Sequence, residues 1–198
     1  GSPFVQWRKG ISLSSGKYIW IAESDDFVDN NFLEIGINQL KATGSQLFYC
    51  NTVQVDETGR FLRGLDWWYA DLGPLRWKEN YSMSAESEIH KSLIRKNILC
   101  NSSAVLFENN DRVAGYLENV RSFRFCGDWL FWLQYLKDAN SICYSVETTN
   151  YWRDHSSSTR SYIAYDRNFE MLKIYRWIVV NILHRESFPL LRYYYKFH

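Results

Sequence analysis

The feature that most constrains this chain is an apolar run, Tyr18-Ile19-Trp20-Ile21-Ala22, followed at once by Glu23-Ser24-Asp25-Asp26. An uninterrupted run of this kind predicts a strand covered on both faces, as in a parallel sheet. The carboxylates at its end cannot share that core, because burying unpaired ionised groups is prohibitive. They must meet water, a cation, or the cationic part of a ligand. In open α/β sheets, ligands sit at the carboxyl ends of the strands. The pattern predicts an α/β fold with a metal-and-anion site close to the start of the chain.

A length of 198 residues suits one domain, or one domain with a helical appendage. Hydrophobic residues make up 46% of the chain, enough for a substantial core. Aromatic content is 18%, which suits flat amphipathic ligands such as sugars, although most such residues pack in cores. The net charge of +1 gives no electrostatic case for nucleic acid. Cys50, Cys100, Cys126 and Cys143 are far apart and lack metal-site spacing, so they read as reduced thiols of a cytosolic protein. The late apolar stretch 177–183 is shorter than the roughly 20 residues a bilayer requires.

Along the chain, Phe4 to Ser14 reads as a helix closed by Ser15-Gly16. Asp29-Asn30-Asn31 opens a second helix that ends at Thr43-Gly44. Gln46 to Val55 reads as a strand, with a turn at Asp56-Glu57-Thr58-Gly59 and a return arm from Arg60. Gly64 to Ser84 has no clear period and reads as an aromatic-rich flap. A short helix is expected over Glu86 to Asn97, a buried strand over Ser102 to Phe107, and a helix over Asp128 to Leu136. Ile142 to Val146 is the last expected strand. A polar segment, Trp152 to Ser161, follows it, and helices from Tyr162 close the chain.

Three segments carry chemistry. Glu23, Asp25 and Asp26 offer the hard oxygen ligands that Mg²⁺ or Mn²⁺ prefers, and Mg²⁺ is usually held by one or two carboxylates plus substrate phosphates. A calcium loop does not fit, because Phe27 occupies a ligand position and the required Gly is missing. The plainer alternative is that these acids only cap the following helix. Asp128, in Cys126-Gly127-Asp128-Trp129, stands in the first turn of a helix, where capping is the ordinary role. His155, between Arg153 and Arg160 in a hydroxyl-rich segment, offers a cradle for a diphosphate.

Taken in order, these segments resemble the middle of a family 2, GT-A-type glycosyltransferase. The resemblance rests on Trp7-Arg8-Lys9-Gly10-Ile11, Ser15-Gly16-Lys17-Tyr18-Ile19, Glu23-Ser24-Asp25-Asp26 and Phe32-Leu33-Glu34. It continues through 101–107, Gly127-Asp128-Trp129, and Trp152-Arg153-Asp154-His155 to Ser158. It implies a partial Rossmann-like GT-A sheet flanked by helices, spanning 1–160, with a helical extension over 161–198. The implied activity is inverting transfer of a sugar from a nucleotide-sugar donor to a saccharide or lipid-linked acceptor. Asp128 would be the catalytic base; Glu23, Asp25, Asp26 and His155 would hold Mg²⁺ or Mn²⁺; and Arg153 with His155 would contact the diphosphate. Trp67, Trp68 and Trp129 are candidates for stacking on a sugar. The family's nucleoside-binding βαβ half has no counterpart ahead of Phe4, so a truncated domain is expected. A non-catalytic carbohydrate-binding module and a nucleotidyltransferase are the competing expectations. The resemblance places the protein in a bacterial cytoplasm, at the inner face of the membrane if the basic, aromatic C-terminal segment rests there.

Overall fold

The computed structural model describes residues 2–154 and 164–183. Within them lie α1 (Pro3–Leu13), β1 (Tyr18–Trp20), β2 (Phe27–Val28), α2 (Phe32–Thr43), β3 (Leu47–Val55), β4 (Phe61–Gly64) and α3 (Asp66–Tyr69). The path continues through β5 (Tyr81–Ser84), α4 (Ala85–Glu88), β6 (Val105–Glu108), α5 (Val113–Asn119), α6 (Gly127–Asp138), β7 (Ser141–Arg153) and α7 (Ala164–Asn181). The seven strands form one sheet in the order β1-β6-β3-β7-β2, with β4 added to β3 and β5 to β7. Helices flank it, giving the α/β architecture expected from the sequence.

Local chemistry accounts for many of the boundaries. Pro3 opens α1, where its missing N–H is harmless. The helix ends at Leu13, before the expected Ser15-Gly16, because the Ser14 N–H already closes on the Ile11 carbonyl. Gly44 ends α2 in the left-handed conformation, with φ +67°. The β3–β4 turn is built on Asp56, whose Oδ1 accepts from the Thr58 N–H, the Thr58 hydroxyl and the Arg60 N–H. Gly59 supplies the positive φ that this turn needs.

Two strand expectations are corrected. β1 is three residues long and half-covered, and it pairs antiparallel with β6 at the edge of the sheet rather than lying in a parallel core. Among the described strands, only β3 and β7 run parallel. The last strand extends to Arg153, well past Val146, and its polar second half buries Thr148 and Asn150. Asn150 lies wholly inside, donating to the Phe27 carbonyl and accepting from the Thr52 hydroxyl. A buried polar residue with its partners in place is tolerated, and it hides a strand from any reading by hydropathy. Ser102–Ala104 forms a 3₁₀ turn ahead of β6, and the flap contains α3, two further 3₁₀ turns and β5. The helix expected over 86–97 is α4, continued by a π-helical turn over Ile89–Leu93.

α6 organises the core. Trp129 to Leu136 are all buried along it, with Phe131, Trp132 and Leu133 fully so. Phe107 of β6 meets Phe131, Trp132 and Tyr135 edge to face at 5.3–5.8 Å. Trp7 of α1 reaches the same cluster. Each fully buried side chain of this size contributes about 1.5–3 kcal/mol. The first turn of α6, which carries Asp128, is therefore anchored in a heavily packed helix. No helix among the described residues is long and apolar enough to cross a membrane.

Candidate active site

The turn after β1 is held in place from below by the 3₁₀ segment ahead of β6. The Glu23 N–H donates to the Ser103 hydroxyl, and the Trp20 indole N–H donates to the Ser103 carbonyl. Asp26 accepts from the Asn101 amide at 2.7 Å and from the Ser103 hydroxyl at 3.1 Å, both on Oδ2. Its Oδ1 accepts from the Arg153 backbone N–H at 3.0 Å. Three of the roughly four lone-pair positions of this carboxylate are thus used within the protein. Asp26 braces three segments, β1's end, the 101–103 turn and the end of β7, and has little capacity left for a cation.

Arg153 strengthens the same junction. Its Nε donates to the Asp25 carbonyl and its Nη1 to the Glu57 carbonyl, tying the acidic turn to the β3–β4 turn. The guanidinium also lies over the Phe27 ring, which stacks on Tyr151. Two of the five donors expected for a diphosphate are spent on backbone carbonyls, and the residue still lines the pocket.

That pocket, about 540 Å³ in volume, lies between the acidic turn, the start of α6 and the end of β7. Glu23, Asp25, Asp26, Asp128 and Arg153 all line it, so residues from opposite ends of the chain share one space. His155 lies outside the described residues. Asp154, from the same segment as Arg153, also lines the pocket, as do Arg124 and Arg167, which no sequence motif marks. A second groove of about 530 Å³ runs between α1 and β1 and shares Glu23 with the first, but its lining is mostly apolar.

Electrostatics in the pocket are unbalanced toward negative charge. Burial first, then the charges of Asp26, Asp128 and Asp25, raises the Glu23 carboxyl from the ordinary 4.5 to about 7. The Ser102 hydroxyl lies close enough to oppose this rise, yet it is buried without a hydrogen bond of normal geometry. Asp26 is raised as well, chiefly by burial, against the pull of its three donors. Added positive charge, from a ligand or an ion, would relieve such a cluster. No three Asp, Glu, His or Cys side chains among the described residues converge as a ready cage. Glu23 and Asp25 suit the looser arrangement in which one or two carboxylates and a ligand's phosphates share the ion.

Asp128 receives a hydrogen bond on Oδ2 from the Asn97 amide at 2.9 Å. Asn97 is itself held: its Oδ1 accepts from the Leu99 N–H, and its carbonyl accepts from the Trp68 indole. The flap is thereby connected to Asp128 through one residue. Among the stacking candidates, Trp129 is buried, bonded to the Leu93 carbonyl and packed edge-on against Tyr175, so it belongs to the core. Trp68 is half-buried on Asn97, and Trp67 alone presents an open face, with Arg63 over its ring.

No family model matches this chain, and no curated protein matches it in sequence. Solved structures do. The chain superposes on part of the structure of Staphylococcus aureus TarS 1–349, a glycosyltransferase, with a TM-score of 0.59 at 15% identity. The fold is glycosyltransferase-like. TarS in complex with UDP-GlcNAc gives a TM-score of 0.61 at 16% identity, and its UDP complex gives 0.58 at 14%. These alignments cover 96% of this chain but 47–49% of the TarS chains, so the chain spans about half the length of the structures it resembles.

Proposed function

We propose that this chain is the catalytic and acceptor-facing part of a nucleotide-sugar glycosyltransferase of the family 2, GT-A type. One observation carries the reading: Asp128, at the start of α6, shares a pocket with the acidic turn after β1. Such a transfer needs a general base on one side of the reacting carbon and, on the other, a site able to carry a cation against the departing diphosphate. The TarS complexes with UDP and UDP-GlcNAc support a uridine-type donor.

In this mechanism an acceptor hydroxyl of a saccharide or lipid-linked sugar lies against Asp128. Asp128 takes its proton while the oxygen attacks C1 of the donor sugar. The C1–O bond to the diphosphate breaks on the opposite face, the bonding pair leaves with the diphosphate, and configuration at C1 inverts. Asn97 holds the Asp128 carboxylate in one orientation. Asp25 and Glu23 would hold Mg²⁺ or Mn²⁺, which supplies positive charge beside the diphosphate; Arg153 adds to it, and His155 is assigned the same role. Asp26 keeps the turn in shape.

The test uses the whole protein. Release of nucleoside diphosphate from a set of nucleotide sugars is measured beside calorimetric titration with UDP and Mn²⁺. Asp128→Asn should lower kcat by about 10²–10⁴-fold with UDP affinity retained. Asp25→Ala should remove the Mn²⁺-dependent part of UDP binding. An Asp128→Asn enzyme with wild-type turnover would sink the reading.

A further inference from the structure

The strongest unassigned feature is a buried carboxylate on α7. Glu170 is 7% exposed, and Asp128 lies on a different element far away in sequence. Its Oε1 accepts from the Arg124 N–H at 2.6 Å, and its Oε2 accepts from the Phe125 and Cys126 N–H groups at 2.9 and 2.8 Å. Three consecutive backbone donors thus converge on one side chain. Among the described residues no Lys or Arg pairs with Glu170. Among the described residues its partners are these backbone donors, and charge-assisted bonds of this kind are about twice as strong as neutral ones.

What the clamp holds is the entry to α6. Cys126 is the N-cap of that helix and provides no side-chain cap of its own. Asp128 follows two residues later. Arg167, one turn before Glu170 on α7, lines the pocket, so this face of α7 looks onto the site. Trp129 and Tyr175 lock the same two helices together at 5.5 Å.

We propose that Glu170 is a positioning residue for the reaction: by clamping the Arg124–Cys126 backbone it fixes where α6 begins, and so where the Asp128 carboxylate stands in the pocket. This rests on the assignment of Asp128 as base. It also makes α7 a working wall of the catalytic domain rather than an appendage.

The experiment compares Glu170→Gln, Glu170→Asp, Asp128→Asn and the double variant Asp128→Asn/Glu170→Gln in the whole protein. Turnover, donor KM and thermal midpoint are measured for each. Glutamine keeps the shape but turns an NH₂ toward backbone donors, displacing the helix start. Because a misplacement of about 1 Å costs up to 10²-fold, kcat should fall by about tenfold or more. Donor KM should stay within about twofold, and Glu170→Asp should recover part of the loss. In the double variant, Glu170→Gln should slow Asp128→Asn by no more than about twofold, since its effect passes through a base already removed. The role of Glu170 is overturned if Glu170→Gln keeps wild-type kcat, if it changes KM instead, or if its loss multiplies with that of Asp128→Asn. If the glutamine variant does not fold, Glu170→Asp with its Asp128→Asn double carries the same comparison. Wild-type turnover by Asp128→Asn alone would instead remove the reading of the base itself, a separate result.

Discussion

At Glu23, burial and neighbouring charge act in the same direction. The carboxyl is raised to about 7, so between its ordinary 4.5 and 7 the folded state holds a proton that the unfolded state has released. Stability from this group is therefore lost as pH climbs through that window. Glu23→Gln should change stability little at pH 4, below the unfolded-state value, and raise it by about 1–2 kcal/mol at pH 8 without divalent cation, measured by denaturant titration. An equal change at both pH values would sink the assignment. Arg76 poses the opposite problem. It donates to the fully buried Glu88 at 2.6 Å and lies 3.9 Å over the Trp77 ring. Arg76→Ala would strand a buried carboxylate and should cost about 3–5 kcal/mol, whereas replacing both members by methionine should cost much less. Equal losses in the single and double variants would show that the pair itself, and not the stranded charge, dominates.

At the scale of elements, the placement of Asp128 depends on how closely α1 crosses the start of α6. A Cβ on Gly127 would lie 2.7 Å from Phe4 Cζ and 2.8 Å from Phe123 Cβ, too close for any real contact. The ring is itself packed against Trp7, so it cannot simply swing aside. Gly127→Ala should destabilise the protein by about 1–3 kcal/mol and lower turnover more than nucleotide affinity. An alanine variant with wild-type stability and turnover would show that α1 yields freely. The sequence places Gly127 beside Asp128 but gives no reason for it, because the steric partner belongs to another helix. The same is true of β7. Its polar half reads as loop until β2 and β3 are seen supplying its partners.

For the whole molecule, the question is whether α7 belongs to the domain. Ile174, Tyr175 and Ile178 bury their side chains there, and Glu170 satisfies three backbone donors. Burial at about 1.5–3 kcal/mol per side chain makes this a large share of a typical 5–15 kcal/mol stability. A protein ended before α7 should lose cooperative unfolding or melt at least about 10 °C lower, as followed by circular dichroism. An unchanged midpoint would return α7 to the status of an appendage.

The sequence by itself determined the local chemistry: an apolar strand ending in carboxylates, a helix starting at Asp128, and a hairpin turned by Asp56 and Gly59. Each of these depends on neighbours in the chain, where spacing and hydropathy carry the information. Tertiary structure alone decided that Asp26 braces three segments while lining the pocket, that Asn97 orients Asp128, and that Arg124 and Arg167 join the pocket. It also decided that β1 lies at an edge and that Glu170 clamps the entry to α6. Those roles depend on hydrogen bonds and contacts between residues remote in sequence, and no local pattern encodes which distant donor will meet a given carboxylate.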